Sequence, residues 1–470
     1  MTARPRHDAV AAALCALYAI ASSAWYTVWR HGFAERSADE GMFENILWNA
    51  IHGHGLRTAI ENNVPHLAVH FSPVLFLLQP LYALSPSMHI VHFVTSAGIA
   101  VAGFVFHRHV SRTLGPAASL PAMGAFLLCP TIVLQTFMEF HEQALAILPL
   151  TLLLAAWSER RGTTTVLAAV ALVTVREDNA LLVIALGVLS LTDPRRRATG
   201  GLLLVLGLAW LALWRVVGIQ LLGGEQLPAV LGGTYARWGA TPGSIARAVL
   251  MHPLDVMQHV LAPVPLQYLA LLLLPVLVLL PFGSALVLAM LPQLAMILLA
   301  THDSRMFQIR MHYSVAPAVV LLFAAVATLA RLDGVRAGLG SATRRWAPRL
   351  MLAMGLVLAP GWALRAGARL NPYTTQIREV LAAIPDTASV GAPGYLLNHL
   401  AARSRIQMIW REESPGTAYV VLEDSSRFFL KGTTVDAFHS PRFDSLLTRA
   451  GYTKLLERHG WHVYRQDAHD

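Results

Sequence analysis

Charged side chains are scarce, 13% of the 470 residues, where a soluble domain carries about 25%. A shortage sustained over the whole length excludes an ordinary water-soluble globule. Hydrophobic residues reach 55% and the mean hydropathy is +0.52, which implies many membrane spans. Cysteine is nearly missing: Cys15 and Cys129 both lie inside apolar runs, so a disulfide framework is excluded. There is no HExxH-type histidine pair, no low-complexity segment and no internal repeat; the last counts against the commonest transporter architectures. The net charge of +9 is spread in short clusters between apolar runs. That is the pattern of inner loops in a membrane protein rather than of a nucleic-acid-binding face.

What is there, first, is a succession of apolar runs about 20 residues long, the length a bilayer demands. "MTARPRHD" leads into about 21 uncharged residues, 9–29, longer than a signal-peptide core and read as a retained first helix. With the N-terminus inside, spans at 88–106, 116–137, 143–158, 201–222, 265–280, 283–300, 314–330 and 350–366 follow. The basic stretches "HRHVSR", "ERR", "DPRRR" and "RLDGVRAGLGSATRRWAPR" then fall inside, as positive-inside bias requires. Between "ERR" and "DPRRR", the segment carrying "RED" (176–178) reads either as one tilted helix or as two short helices meeting at these charges. The second reading keeps both basic loops inside and lifts the charges off the bilayer centre, so it is preferred. It brings the total to about eleven spans. The first outer loop, 30–87, holds "HLAVHFSPVLFLLQPLYALSP", which is short, interrupted by Pro73 and Pro80, and read as an interfacial helix. The span 201–222 leads to a Gly-rich loop and a mildly amphipathic stretch, 223–264. From 367 the pattern changes: "IPDTASVGAPG", "TAYVVLED" and "WHVYRQ" read as strands, with helices near 374–384 and 442–450. The fold class is thus an all-α polytopic integral membrane protein, residues 1–366, with a small α/β extracytoplasmic domain, 367–470.

This topology sends polar residues to one face. They are Asp39, Glu40 and Glu44; His66 and His70; Glu139, His141 and Glu142; Arg176, Glu177 and Asp178; and His302, Asp303, Arg305, Arg310 and His312. Arg215 lies within the 201–222 span. Ionisable groups at membrane depth tend to be paired and functional. Carboxylates and arginines together suit group transfer from a phosphate-linked donor. A carboxylate accepts the proton of an attacking hydroxyl, and guanidinium forks hold the departing phosphate. Each signal also has a plainer reading. Asp39 to Glu44 can be a solvated helix end, "RED" a structural ion pair, the histidines interfacial side chains instead of metal ligands, and Arg305 and Arg310 anchors for lipid headgroups.

Six pieces of the chain, "ADEGMFENILWN" (38–49), "HFSPVLFLLQPLY" (70–82), "FHEQALAILPL" (140–150), "VREDNALLVIALG" (175–187), "MHYSVAP" (311–317) and "IPDTASVGAPGYLLNHLAAR" (384–403), resemble the domain-of-unknown-function 2079 family. These are polytopic membrane proteins of bacteria and archaea, and the family is in turn similar to the GT-C glycosyltransferases. That resemblance implies a GT-C-like fold and a sugar donor carried on a polyprenyl phosphate. It also implies an active-site acid in the first outer loop. Matched by position, the acid is Asp39; because Ala38 precedes it and Glu40 follows, both Asp39 and Glu40 are candidates for the catalytic base.

The expected activity is transfer of a sugar from a polyprenyl-phosphate donor to an acceptor at the extracytoplasmic face of the bacterial inner membrane. Arg215, Arg305 and Arg310 would grip phosphate; His70, His141, Glu142, Arg176, Glu177, Asp178 and His312 would complete the substrate site, with a divalent cation as its one conceivable cofactor. Membrane lipid, the donor and an acceptor are the expected partners, and nucleic acid is not. A lipid or solute transporter, with the "RED" turn and Arg215 as pathway charges, is the alternative; a non-catalytic assembly protein is a third reading.

Overall fold

The structure, a computed structural model, describes residues 3–35, 37–224, 233–332, 339–367, 373–409, 412–424 and 439–467. Residues 225–232 of the Gly-rich loop and 333–338 of the basic inner segment lie outside these. The chain is mostly helical, with a small sheet near its C-terminus.

Helix α1 (Ala3–His31) is followed by α2 (Asp39–Ile51), α3 (Leu75–Leu84) and α4 (Met88–Thr113). Then come α5 (Pro116–Leu127), α6 (Ile147–Ser158), α7 (Gly162–Val173), α8 (Asn179–Leu191) and α9 (Arg197–Leu213). The last continues as a π-helical segment, Trp214–Leu221. Among the described residues, four helical segments are each long and apolar enough to cross a membrane: 6–31, 88–113, 197–221 and 312–332. The last contains α10 (Val315–Leu332), whose apolar residues are buried all round against Phe106, Phe126 and Leu150. A helix apolar on every side belongs at the centre of a bundle. By contrast, α1 and α9 leave Leu17, Ile20, Leu202, Val205 and Leu208 exposed, as lipid-facing helices do.

Several expected spans are broken. Over 116–137, α5 stops before Cys129 and a short turn, Pro130–Leu134, resumes. The 265–300 region is a series of short pieces interrupted at Pro275, Pro281 and Pro292. Proline supplies no amide donor and clashes with the preceding turn, so a run apolar enough to span does not stay one helix. Two helices, 253–260 and 263–276, pass as one span only with a bend of 64° between them. Composition and length thus single out fewer spans than eleven.

The "RED" stretch is two helices, α7 and α8, separated by Thr174–Asp178. At 1.5 Å per residue each is about 18–20 Å long, short of the roughly 30 Å hydrocarbon core. Arg160 in the turn before α7 pairs with Asp193 in the turn after α8 at 3.3 Å. The two basic turns therefore share one end of the bundle, as the two-helix reading requires. Arg112 with Glu159 (2.8 Å) and Asp8 with Arg108 (2.9 Å) bring the 107–112 and N-terminal basic residues to this end too.

The C-terminal domain carries a five-stranded sheet. Its strands are β1 (Val390–Ala392), β2 (Ile406–Met408), β3 (Tyr419–Glu423), β4 (Tyr452–Arg458) and β5 (Trp461–Gln466), in the order β2-β1-β3-β5-β4. β1 pairs in parallel with β2 and β3, whereas β5 is antiparallel to β3 and β4. The expected helices are present as Thr374–Leu381 and α11 (Pro441–Arg449). Strands β2 and β4 were not expected. The β4–β5 turn places His459 at φ 55° and Gly460 at φ 83°, the two left-handed residues of a type I′ hairpin.

This domain docks on α2. The Gly41 amide donates to Asn398 Oδ1 at 2.7 Å, Asn398 Nδ2 donates to the Ser37 carbonyl at 2.9 Å, and Asn45 Nδ2 donates to the Arg403 carbonyl at 2.7 Å. A Cβ at Gly41 would stand 2.9 Å from the Asn398 backbone nitrogen, so only glycine permits this approach. "ADEGMFENILWN" and "GYLLNHLAAR" thus meet each other in space.

Candidate functional site

Opposite the basic end, four chain segments converge. They are His70 of the first loop, the turn 139–143 before α6, the 174–178 turn, and His312–Tyr313 in the turn just before α10.

Ion pairs, hydrogen bonds and ring stacking hold these groups, although His312 Nε2 is buried with no hydrogen-bond partner among the described residues. Arg176 is buried and grips Asp178 in a bidentate fork, Nε to Oδ1 at 3.0 Å and Nη2 to Oδ2 at 2.6 Å. Its other amine faces Glu142 at 3.8 Å, and its plane lies over the Tyr313 ring, 5.5 Å from the centroid. Glu142 is fully buried and takes His141 Nδ1 at 2.7 Å. The His141 ring stacks on His312 at 3.4 Å. Gln143 donates to Asp178 at 2.9 Å, and Asn179 donates to Gln143 at 3.3 Å. Glu177 accepts from the Phe71 amide at 2.8 Å and faces His70 Nδ1 at 3.1 Å.

Burial opposes charge on both members of this last pair, yet each field outweighs it for the other. The His70 imidazole is raised above its ordinary value because Glu177 lies against it, and the Glu177 carboxyl is held below the usual range by His70, with help from Arg176. Each partner thus favours the charged form of the other. Gln143, Asp178, Gln293, Met306, His312 and Tyr313 line a narrow cleft beside the cluster.

The two adjacent acids of α2 are separated by the fold. Glu40 is fully buried: it is ion-paired with Arg30, and it accepts from Tyr26 Oη at 2.6 Å and from the Phe140 amide at 3.2 Å. Glu44 shares Arg30 at 2.7 Å, and a third Arg30 contact, 2.7 Å, reaches the Asn398 carbonyl. Asp39, at the first position of α2, is exposed. Glu139 accepts from the Ser37 amide at 3.3 Å, next to this turn.

The structure thus brings His70, His141, Glu142, Arg176, Glu177, Asp178 and His312 together. Arg310 lies two residues before His312, its Nε donating to Gln308 at 2.8 Å, and Arg305 is exposed on the same connection, beside Met306 of the cleft. Arg215 is exposed on the π-helical segment Trp214–Leu221. His66 pairs with Glu61 at 2.9 Å, and His302 stacks on His259. Tyr313, Gln143, Gln293 and Asn179 were not anticipated. As uncharged residues within or beside apolar runs they carry no sequence signal; only packing places Tyr313, Gln143 and Gln293 on the cleft and Asn179 against Gln143.

This arrangement, a helical bundle with a polar cluster at one end and a small sheet domain docked on the first connecting helix, is GT-C-like. It is similar to the crystal structure of ArnT from Cupriavidus metallidurans bound to undecaprenyl phosphate, with a TM-score of 0.54 at 12% identity over 96% of this chain and 98% of that one. The apo state of the same protein gives a TM-score of 0.46 at 11% identity, over 95% and 97%. The chain belongs to the DUF2079 family of predicted membrane proteins, whose sequence model matches residues 36–427. No curated protein sequence matches it.

Proposed function

We propose that the protein transfers a sugar from a polyprenyl-phosphate donor to an acceptor hydroxyl, at the cleft, on the extracytoplasmic face of the inner membrane. In this reading residues 1–366 form the transferase body, the first loop lies along the outer interface, and the 367–470 domain sits outside. Asp39 is the base. It takes the acceptor proton as the hydroxyl oxygen bonds to the anomeric carbon and the carbon–phosphate-oxygen bond breaks. Charge then builds on the leaving phosphate, where Arg305 and Arg310 are supplied by the connection that carries His312. Arg176 orients Asp178 and Glu142 toward the sugar, and the His70–Glu177 pair fixes the 70–71 segment against that turn. Glu40, committed to Arg30, positions the first turn of α2, and Arg215 has no role in the cleft. The GT-C-like fold supports the reaction class. The observation that carries the reading is the buried Arg176–Asp178–Glu142 cluster beside the cleft lined by Asp178, His312 and Tyr313, at the end of the bundle away from the basic turns; Asp39 is the exposed acid of α2.

The test supplies membranes containing the protein with radiolabelled polyprenyl-phosphate sugars and follows loss of label from the lipid. Asp39→Asn should lower transfer by about 10²–10⁴-fold, the usual worth of a general base, with unchanged thermal stability. Full activity in that folded variant would refute the assignment. Label loss equal in membranes lacking the protein would refute the function.

A further inference from the structure

The C-terminal domain holds a second group of ligand-type side chains, remote in sequence from the cleft residues. Asp424 follows the end of β3, His462 lies on the adjacent strand β5, and His439 precedes α11. One ligand atom from each lies within 4.8 Å of the others. His462 Nε2 is 2.5 Å and His439 Nδ1 3.1 Å from the same oxygen, Asp424 Oδ1. The two imidazoles are nearly parallel, 11° apart, with centroids 3.6 Å from each other.

From this geometry we infer a divalent metal site, two imidazole nitrogens and one carboxylate oxygen, taking Zn²⁺ by preference. Zinc binds nitrogen and oxygen ligands at about 2.0–2.2 Å in a tetrahedron, which sets neighbouring ligand atoms about 3.3 Å apart. The His439–Asp424 separation already matches, and the His462–Asp424 contact needs to open by less than about 1 Å. Two rings, His462 buried and His439 partly so, stacked with their dipoles aligned on one oxygen repel each other; a dication placed between them satisfies both lone pairs and the anion together. The far nitrogens, His439 Nε2 and His462 Nδ1, are the ones that would then carry protons, and Glu457 stands 3.7 Å from the latter as an outer acceptor. His462 is almost wholly buried, whereas the Asp424 side chain is half exposed. The site is therefore anchored from the sheet side and open to water for its fourth ligand. Its position ties three elements: the His439 amide donates to the Glu423 carbonyl at 2.7 Å, and His462 stands opposite Leu422 in the β3–β5 ladder. Bound metal clips the start of α11 to the sheet.

The test titrates ZnCl₂ into tag-free, full-length protein in detergent after chelator stripping, with bound zinc measured by elemental analysis and stability by thermal melting. Wild type should bind one equivalent and melt higher with zinc. His439→Ala and Asp424→Asn should each weaken binding by about 100-fold or more, at least the loss seen for disturbing a ligand's support. A His141→Ala/His312→Ala variant, altering the other histidine cluster, should keep that equivalent. The inference is overturned if wild type binds no zinc at micromolar concentration, or if folded His439→Ala and Asp424→Asn bind it as wild type does. It is equally overturned if the equivalent disappears with His141 and His312.

Discussion

Replacing Arg30 by Met removes the cation that ties α1, α2 and the C-terminal domain. In the native protein Arg30 serves Glu40, whose side chain is 0% exposed, Glu44, 6% exposed, and the Asn398 carbonyl. Neither carboxylate has a second cation among the described residues. Removing one partner of a buried pair leaves the other charge uncompensated and costs roughly 3–5 kcal/mol. At about 1.4 kcal/mol per factor of ten, that raises the unfolding constant by more than about 100-fold. The assay is denaturation of detergent-solubilised protein in mixed micelles, followed by tryptophan fluorescence. Adding Glu40→Gln to Arg30→Met should recover part of the loss, because a neutral amide is left in place of a stranded anion. Transfer activity should fall as well, since Glu40 fixes the turn from which Asp39 projects. A stability within about 0.5 kcal/mol of wild type, the range of ordinary surface substitutions, would refute the clamp.

Gly41→Ala should cost about 1–3 kcal/mol by overpacking, less the helix propensity that alanine gains, and should expose the C-terminal domain to limited proteolysis; protection equal to wild type would sink the docking geometry. Arg176→Gln leaves Glu142 and Asp178 without their guanidinium, and should abolish transfer and lower the melting temperature, whereas Arg215→Gln should leave transfer intact in the same membrane assay. Burial pushes the Glu423 carboxyl up to about 7 from 4.5, although Tyr395 Oη donates to it at 2.8 Å. Because the folded value is the higher, protonation favours the fold: the penalty is absent below about pH 4.5, grows through pH 7 and is complete above it. At about 1.4 kcal/mol per pH unit, the full effect is on the order of 3 kcal/mol. Glu423→Gln should flatten this dependence between pH 5 and 8, and an unchanged pH profile in urea or thermal melts of the full chain would contradict it.

The pieces read from the sequence were those set by local composition. Apolar runs cannot stay in water, so the helical bundle followed from hydropathy; the segregation of Arg160 and Asp193 from the 176–178 turn followed from the cost of charge in lipid. The amphipathic pattern of 374–384 and 442–450 was likewise local. Strands β2 and β4 were missed because three-residue Ile406–Met408 is too short to show a period, and β4 leaves Leu455 exposed at the sheet edge. Span integrity was missed wherever proline interrupted an apolar run without changing its hydropathy.

Sequence alone determined that charge would be expelled from the bilayer and collected in the turns, because that preference belongs to each residue and its neighbours. Only tertiary structure decided what each collected charge does. Asp39 and Glu40 are adjacent acids on one helix; about 100° of helical rotation sends Glu40 under Arg30 and leaves Asp39 exposed. Strand pairing, likewise, brings His462 alongside the end of β3 and so to Asp424. Which side of a helix is covered depends on what packs there from hundreds of residues away.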